Sequence, residues 1–336
     1  MSTEISLLEA ARVSRGLTQA ELADAAGVAQ GVISKLESGR LPLADARVEL
    51  LARQLRVPLA LVDGSTTNAP HTRQFHRKQA SLPAKAANQL RADMVLTHVR
   101  VNRLLNSLGP ADVPRLPLAS PLDQPADRAR AVRKLWNLPP GPIPNMVALL
   151  EQHGVPCISW DVSSSRVDAI ASWPHDAPPI ILLGSHAPGD RLRFTVAHEL
   201  GHAVMHDVPC ADCEREADEF ASEFLMPRAD IKEALRGATL PKLAELKSLW
   251  GTSIAALARR ARDLGVVTDS AYRTLNIEIS AGGLRKNEPV NVPRERPTLI
   301  QDAIRQRINA GQPLSEVADL ALIETDELNN QYLEAA

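Results

Sequence analysis

The segment Thr195–His206, TVAHELGHAVMH, carries the pattern from which the rest of the chain can be placed. Side chains four apart on an α-helix lie one turn above each other, so His198 and His202 project from one face and are able to share one ion. Glu199 stands beside them. Imidazole nitrogens suit zinc, which takes a third protein ligand and keeps one position open for water when it is catalytic. A neighbouring carboxylate then takes a proton from that water as the metal lowers its pKa. HExxH on a helix is the sequence form of that arrangement. At about 100° per residue, Val196, Leu200, Ala203 and Val204 fall on one side, and Thr195, His198, Glu199, His202 and His206 on the other. An apolar face opposite a row of histidines does not read as ordinary core packing. His206 lies two turns beyond His198, about 12 Å along a continuous helix axis, too far to share its ion. It reads as a helix-end residue that supports the ligands.

The third ligand is expected from the next helix, EREADEFASEFLMP, which starts near Cys213. Ala217, Phe220 and Phe224 form its inward stripe with Glu214 at the edge, whereas Glu216, Glu219 and Glu223 fall on the opposite side and read as solvated. Glu214 is therefore the first choice and Glu216 the second. Asp218, one turn from Glu214, is spaced to hold a ligand histidine by its free N–H. Between the two helices lies CADC, Cys210 to Cys213. A CxxC so near histidines is compatible with a thiol metal site or a redox switch; without a second pair, it reads as two solvent-facing loop cysteines.

HELGHAVMH followed by EREADEFASEFLMP resembles the ImmA/IrrE family of zinc-dependent peptidases. So do the flanking stretches GPIPNMVALLEQHGVPCISWD, RLRFTVAHELGH, LKSLWGTSIAALARRARDLGVV and EPVNVPRERPTLI, and the likeness runs from about Ala126 onward. The resemblance implies metal binding by His198, His202 and Glu214, with Glu199 as the base. Asp218 departs from it, since the family often has asparagine there. Zinc is the implied metal, and a His2Glu set with an open position also accommodates manganese.

Toward the N-terminus, Ile5 to Val62 reads as short helices with sharp punctuation. Thr18–Glu21, TQAE, is a capping box that starts a helix, and Gly27 permits the left-handed turn that ends it. A second short helix spans Gln30 to Glu37. Two short helices about a tight glycine turn make a helix-turn-helix, and the exposed start of the second would meet base edges. The side chains placed to do so are Gln30, Gly31, Ser34 and Lys35, with Arg40 beyond them. TQAELADAAGVAQGVISKLESGR, with ARVELLARQLRV after it, resembles the Xre/Cro repressor helix-turn-helix, which implies a double-stranded DNA operator as partner. Basic residues between Arg12 and Arg56 are roughly offset by acids between Glu4 and Asp63. Phosphate contacts dominate affinity, so one copy should bind weakly, and a homodimer or further basic surface is expected.

Residues 64 to 82 read as a linker. Pro83 to Leu108 is a long helical pattern with Leu90, Met94, Val101, Leu104 and Leu108 on one stripe. Arg73, Arg77, Lys78, Lys85, Arg91, Arg100 and Arg103 gather around it. They read as a solvated face, with phosphate contacts or a dimer seam as the sharper alternative. Gly109 to Pro125 is a proline-rich connector. Helices are expected from Ala126 to Trp136 and up to His153, and strands at Val155–Val162, Ala169–Trp173 and Pro179–Leu183, forming a small sheet under the HExxH helix. Helices follow at Leu240–Trp250 and Ser253–Leu264, then an irregular stretch to Pro297, then helices at Thr298–Ala310 and Leu314–Leu333. The last stretch, LSEVADLALIETDELNN, has helix-turn-helix spacing, but its acids argue against DNA contact and it reads as a packing or partner surface. The fold class is α+β, mostly helical: a five-helix-type helix-turn-helix domain at 1–63, a linker and long basic helix at 64–125, a zincin-like peptidase domain with a small sheet at 126–264, and a helical C-terminal region at 265–336.

Composition sets the outer limits. The 336 residues are 44% hydrophobic and 23% charged with net charge -2, ordinary for a globular chain and without the global basic field that advertises nucleic acid. No apolar run approaches the roughly 18 residues of a membrane span, no basic-then-apolar signal opens the chain, and Cys157, Cys210 and Cys213 make no disulfide scaffold. A cytoplasmic protein without membrane attachment is expected. Together the two resemblances imply a transcriptional regulator joined to a metallo-endopeptidase. Its protein substrate would be another repressor or this chain itself, cleaved in response to stress or DNA damage, with single-stranded DNA a candidate signal. The alternative is a non-hydrolytic DNA-binding regulator whose peptidase-like domain senses metal or a ligand. A purely structural zinc site would need Cys210 or Cys213 as fourth ligand.

Overall fold

Local signals account closely for the first elements of the computed structural model, which describes residues 5–43, 46–66, 83–106, 124–160, 167–174, 179–206, 210–285 and 287–334. α1 (Leu7–Ser14) is capped by Ser6, whose Oγ accepts from Glu9 N. α2 (Gln19–Ala26) starts on the Thr18–Glu21 capping box and stops at Gly27, φ +66°. α3 (Gln30–Glu37), α4 (Arg47–Leu55) and α5 (Leu59–Val62) complete a five-helix unit around fully buried Leu8, Leu22, Ile33 and Leu51. Arg12 is buried there and pairs with Glu37 at 2.7 Å, so it is a structural cation.

On the long helix α6 (Ala84–Asn106) the expected solvated basic face is found only in part: Lys85 and Arg103 are exposed and Arg91 half-buried, whereas Arg100 is buried. Val95, Val99, His98 and Arg100 are all buried. One side of α6 joins the core of α1–α5 through Ala92, Leu96 and Val99; another meets the sheet and the C-terminal helices through Leu90, Met94, Val101 and Leu104. Arg100 bonds Glu327 and Gln331, and Arg103 Nε donates to Leu320 O at 2.6 Å. Both reach the C-terminal helices; Arg100 is buried against them, and Arg103 stays exposed. Arg73, Arg77, Lys78 and Leu108 lie outside the described residues.

α7 (Pro125–Leu135) and α8 (Met146–Gln152) lead to a sheet of β1 (Cys157–Trp160), β2 (Ala169–Ser172) and β3 (Ile180–Gly184), in the order β1-β3-β2. β1 runs parallel to β3 with Ile158 opposite Leu182, and β2 antiparallel with Ile170 opposite Leu182. Alternation sorts the strands between two cores. Ala169, Ala171, Ile181 and Leu183 pack with Leu192, Val196 and Leu200 of α9 (Gly189–Met205). Ile158, Trp160, Ile170 and Leu182 pack toward α6 and the C-terminal helices. The sheet is thus buried on both faces, and its three strands support the HExxH helix on one of them.

α10 (Cys213–Leu225) lies against α9 and is followed by α11 (Arg228–Ile231), α12 (Leu240–Trp250) and α13 (Ile254–Asp263). The stretch expected to be irregular contains a helix, α14 (Asp269–Ala281), capped by Thr268 and burying Leu275 and Ile279. The Thr cap and the i,i+4 apolar pair were the local signal for it. α15 (Leu299–Asn309) follows as expected, and the final stretch is divided, as its helix-turn-helix spacing suggests, into α16 (Leu314–Ala321) and α17 (Thr325–Leu328), with a π-helical turn, Asn329–Glu334, after them. This acidic end packs inward. Glu327 pairs with Arg15 at 2.5 Å and with Arg100 at 3.3 Å, and Leu322 joins the core of the five-helix unit. No helix among the described residues is long and apolar enough to cross a membrane.

Candidate metal centre

Helix α9 presents its histidines because its opposite side is fixed. Val196 and Leu200 are fully buried, and at Gly201 an added Cβ would stand 3.1 Å from the Phe220 ring of α10. That glycine, a poor helix former, lets α10 approach closely enough for its first-turn carboxylate to reach the histidines. His198 Nε2 and His202 Nε2 lie 3.0 Å apart. Glu214 places one carboxylate oxygen 3.7 Å from His198 Nε2 and the other 3.5 Å from His202 Nε2. These three side chains form a group able to hold a metal ion.

The remaining nitrogens decide the tautomers. His198 Nδ1 lies 2.9 Å from Asp218 Oδ1; a carboxylate only accepts, so Nδ1 carries the proton and neutral Nε2 is a lone pair. His206 Nε2 lies 3.0 Å from Glu216 Oε2 and therefore donates, which leaves its Nδ1 as acceptor for His202 Nδ1–H at 2.9 Å. His202 Nε2 is then a lone pair as well. Two imidazole lone pairs 3.0 Å apart, beside a carboxylate, repel one another unless a cation lies among them. The donor set, two imidazoles and a carboxylate, is the kind that suits zinc, with manganese also admissible.

Asp218 is held in place from a second side. Burial pushes its carboxyl up, but the bond and charge of His198 together with those of Arg259 outweigh it, leaving the group below the usual aspartate range. Arg259 Nη1 donates to Asp218 Oδ2 at 3.1 Å. This arginine on α13 carried no recognisable signal in the sequence, since it is 41 residues away from its partner. Glu199 follows His198 on α9 and is half-buried.

Several expected placements change. Glu216 is not turned to solvent; it bonds His206. Glu223 is buried and pairs with Arg260 and Arg130, bracing α10 against α13 and α7. His206 stands just past the end of α9, at φ -120°, between His202 and Glu216. Cys213 is not a solvent-facing loop residue: it begins α10, is 4% exposed, and is joined to exposed Cys210 in a disulfide. Arg191 bonds Asp168, and Tyr272 lies under the Arg262 guanidinium.

At the other end of the chain, Gln30, Gly31, Lys35 and Arg40 are exposed and Ser34 is half-buried. Gln30 Nε2 donates to Gln19 Oε1 and Gln19 Nε2 to Glu37 Oε2, each at 2.7 Å. With the Arg12–Glu37 pair this chain of bonds fixes the start of α3. Arg40 Nε donates to Ser38 Oγ at 2.9 Å.

Comparison with known proteins agrees with both ends of the molecule. A helix-turn-helix family model matches residues 8–62, and the model of the IrrE N-terminal-like domain matches residues 150–262. No curated protein matches the chain. The first match covers α1–α5, and the second covers the sheet, α9, α10 and most of α13. The chain is therefore a fusion of an Xre-type helix-turn-helix domain with a peptidase-like domain of the ImmA/IrrE family.

Proposed function

We propose that the protein is a DNA-binding transcriptional regulator whose second domain is a zinc-dependent endopeptidase, acting on a repressor protein or on its own helix-turn-helix half. The observation that carries the reading is the pair of facing Nε2 lone pairs of His198 and His202 at 3.0 Å, closed by Glu214. A divalent ion held there supplies Lewis acidity toward a peptide carbonyl. Asp218 and His206 hold the two rings by Nδ1, so that both Nε2 atoms stay aimed at one point. Glu199 takes a proton from the attacking water and delivers it to the leaving amine. Zinc fits the donor set, and manganese is the second candidate.

On the DNA side, Gln30, Gly31, Ser34 and Lys35 of α3 read base edges and Arg40 contacts phosphate, in a homodimer on a double-stranded operator. Cleavage would relieve repression under stress or DNA damage, with single-stranded DNA as a candidate signal, in the cytoplasm. Incubating the metal-loaded full chain with candidate repressors, itself included, with and without single-stranded DNA, and reading products by mass tests this. Defined fragments that vanish on chelation are expected; unchanged masses under every condition would sink the peptidase reading.

A further inference from the structure

Just beyond the end of α9 lies a second group with ligand chemistry. His206, Cys210 and Cys213 each offer one ligand atom, and these atoms all lie within 4.8 Å of one another. None of them belongs to the His198–His202–Glu214 group. The two sulfurs are joined in a disulfide. Cys210 is exposed and Cys213 is 4% exposed. Cys213 opens α10, and the Cys210 backbone N–H donates to its Sγ at 3.1 Å. We propose that reduction of this disulfide creates a second metal site, in which the thiolates of Cys210 and Cys213, with His206, bind a soft divalent cation of the zinc type.

The geometry gives the exchange a direction. An incoming thiolate reaches the exposed Cys210 sulfur and bonds to it. The S–S bond breaks, and its electron pair leaves on Cys213 Sγ, where a helix N-terminus and the Cys210 N–H favour the anion. A second thiol equivalent releases Cys210, so two electrons pass from the thiol reductant, which becomes a disulfide. Ion binding then sends two thiol protons to solvent. In reverse, a peroxide takes the two electrons and, with two protons, becomes two waters as the disulfide re-forms and the ion leaves. Sulfur and imidazole at CxxC spacing suit zinc far better than magnesium or calcium.

Loading this site alters the one beside it. His206 Nε2 now donates to Glu216, and its Nδ1 accepts from His202. An ion on Nε2 moves the ring proton to Nδ1, where it faces His202 Nδ1–H, and an ion on Nδ1 takes up the acceptor itself; either way the bond that orients His202 is lost. The two sites therefore oppose each other. This coupling rests on the proposed metal role of His202, whereas the thiolate site itself does not.

The test is a cobalt(II) titration of metal-free full-length protein, peroxide-oxidised or reduced anaerobically with a phosphine. The reduced form should show a thiolate-to-cobalt charge-transfer band and bind one ion more than the oxidised form. Cys210→Ser or Cys213→Ser should remove the band; alkylating the reduced wild type reads the same loss if either variant fails to fold. His198→Ala, which disables only the HExxH group, should keep it. A band in wild type that His198→Ala abolishes, or no band in any reduced protein, overturns the proposal. If reduced wild type binds cobalt through the thiolate site alone and oxidised wild type binds none, the second site stands and the peptidase centre falls.

Discussion

His198 Nδ1 and Asp218 Oδ1, 2.9 Å apart, fasten the first turn of the HExxH motif to the helix that carries Glu214. The carboxylate fixes the ring's tautomer and, through Arg259, ties both helices to α13. Asp218→Ala should lower metal affinity about 10- to 100-fold, measured by competition with a chromophoric chelator. Asp218→Asn keeps an acceptor oxygen and should lose much less, which separates the orienting bond from simple charge.

Gly201 predicts a packing effect. A methyl there would press on the Phe220 ring from 3.1 Å, in a core where Phe220 is fully buried. Alanine gains about 1 kcal/mol of helix propensity, but overpacking costs about 1–3 kcal/mol. Gly201→Ala should therefore lower thermal stability slightly and metal affinity more, because the contact that yields is the one setting the distance from Glu214 to the histidines.

Glu295 ties its own stretch and the start of α8 to α9. It pairs with Arg193, the two side chains being 8% and 5% exposed, and accepts from Met146 N and Val147 N at 2.9 Å each. Arg193 also donates to Ile143 O and Pro144 O. Glu295→Ala leaves a buried cation and two helix-start amides unpaired, at a cost of about 3–5 kcal/mol. Denaturant unfolding of the second domain should report it.

His98 makes stability depend on pH. Burial depresses its pKa from 6.5 to about 4, with Nε2 bonded to Ser172 Oγ at 2.8 Å. The unfolded chain takes up a proton first as pH falls, so the contribution is whole above 6.5 and is lost down through 4, up to about 3 kcal/mol. Asp93, on the same helix, acts oppositely: burial raises it from 3.8 to about 6, despite the Trp160 bond, so its penalty grows as pH rises through that range. His98→Gln should flatten the acid limb of a melting-temperature profile. Asp93→Asn should raise the melting temperature at pH 7 and leave it unchanged below 4.

Wherever a reading depended on local spacing, the sequence was informative. The Thr18 capping box, Gly27 and the Gln30–Glu37 helix are short-range features, and so is the placing of His198 and His202 on one face. Partners distant along the chain left no such trace. Arg100 read as a solvated cation, yet its partner Glu327 comes 227 residues later. Glu223 looked solvated by helical angle because Arg260 closes over it from another helix. The start of α10 near Cys213 was legible, but the disulfide and the burial of Cys213 depend on how the helix packs, which CADC alone does not specify.

In the proposed reaction, Glu199 moves a proton during peptide hydrolysis. Glu199→Gln keeps the size of the side chain and leaves His198, His202 and Glu214 untouched. Its metal content, measured on purified full-length protein by elemental mass spectrometry, should equal that of wild type, while cleavage of the repressor substrate and derepression in cells should both be lost. Derepression that survives in this variant would contradict the account and leave a metal- or ligand-sensing regulator that does not hydrolyse.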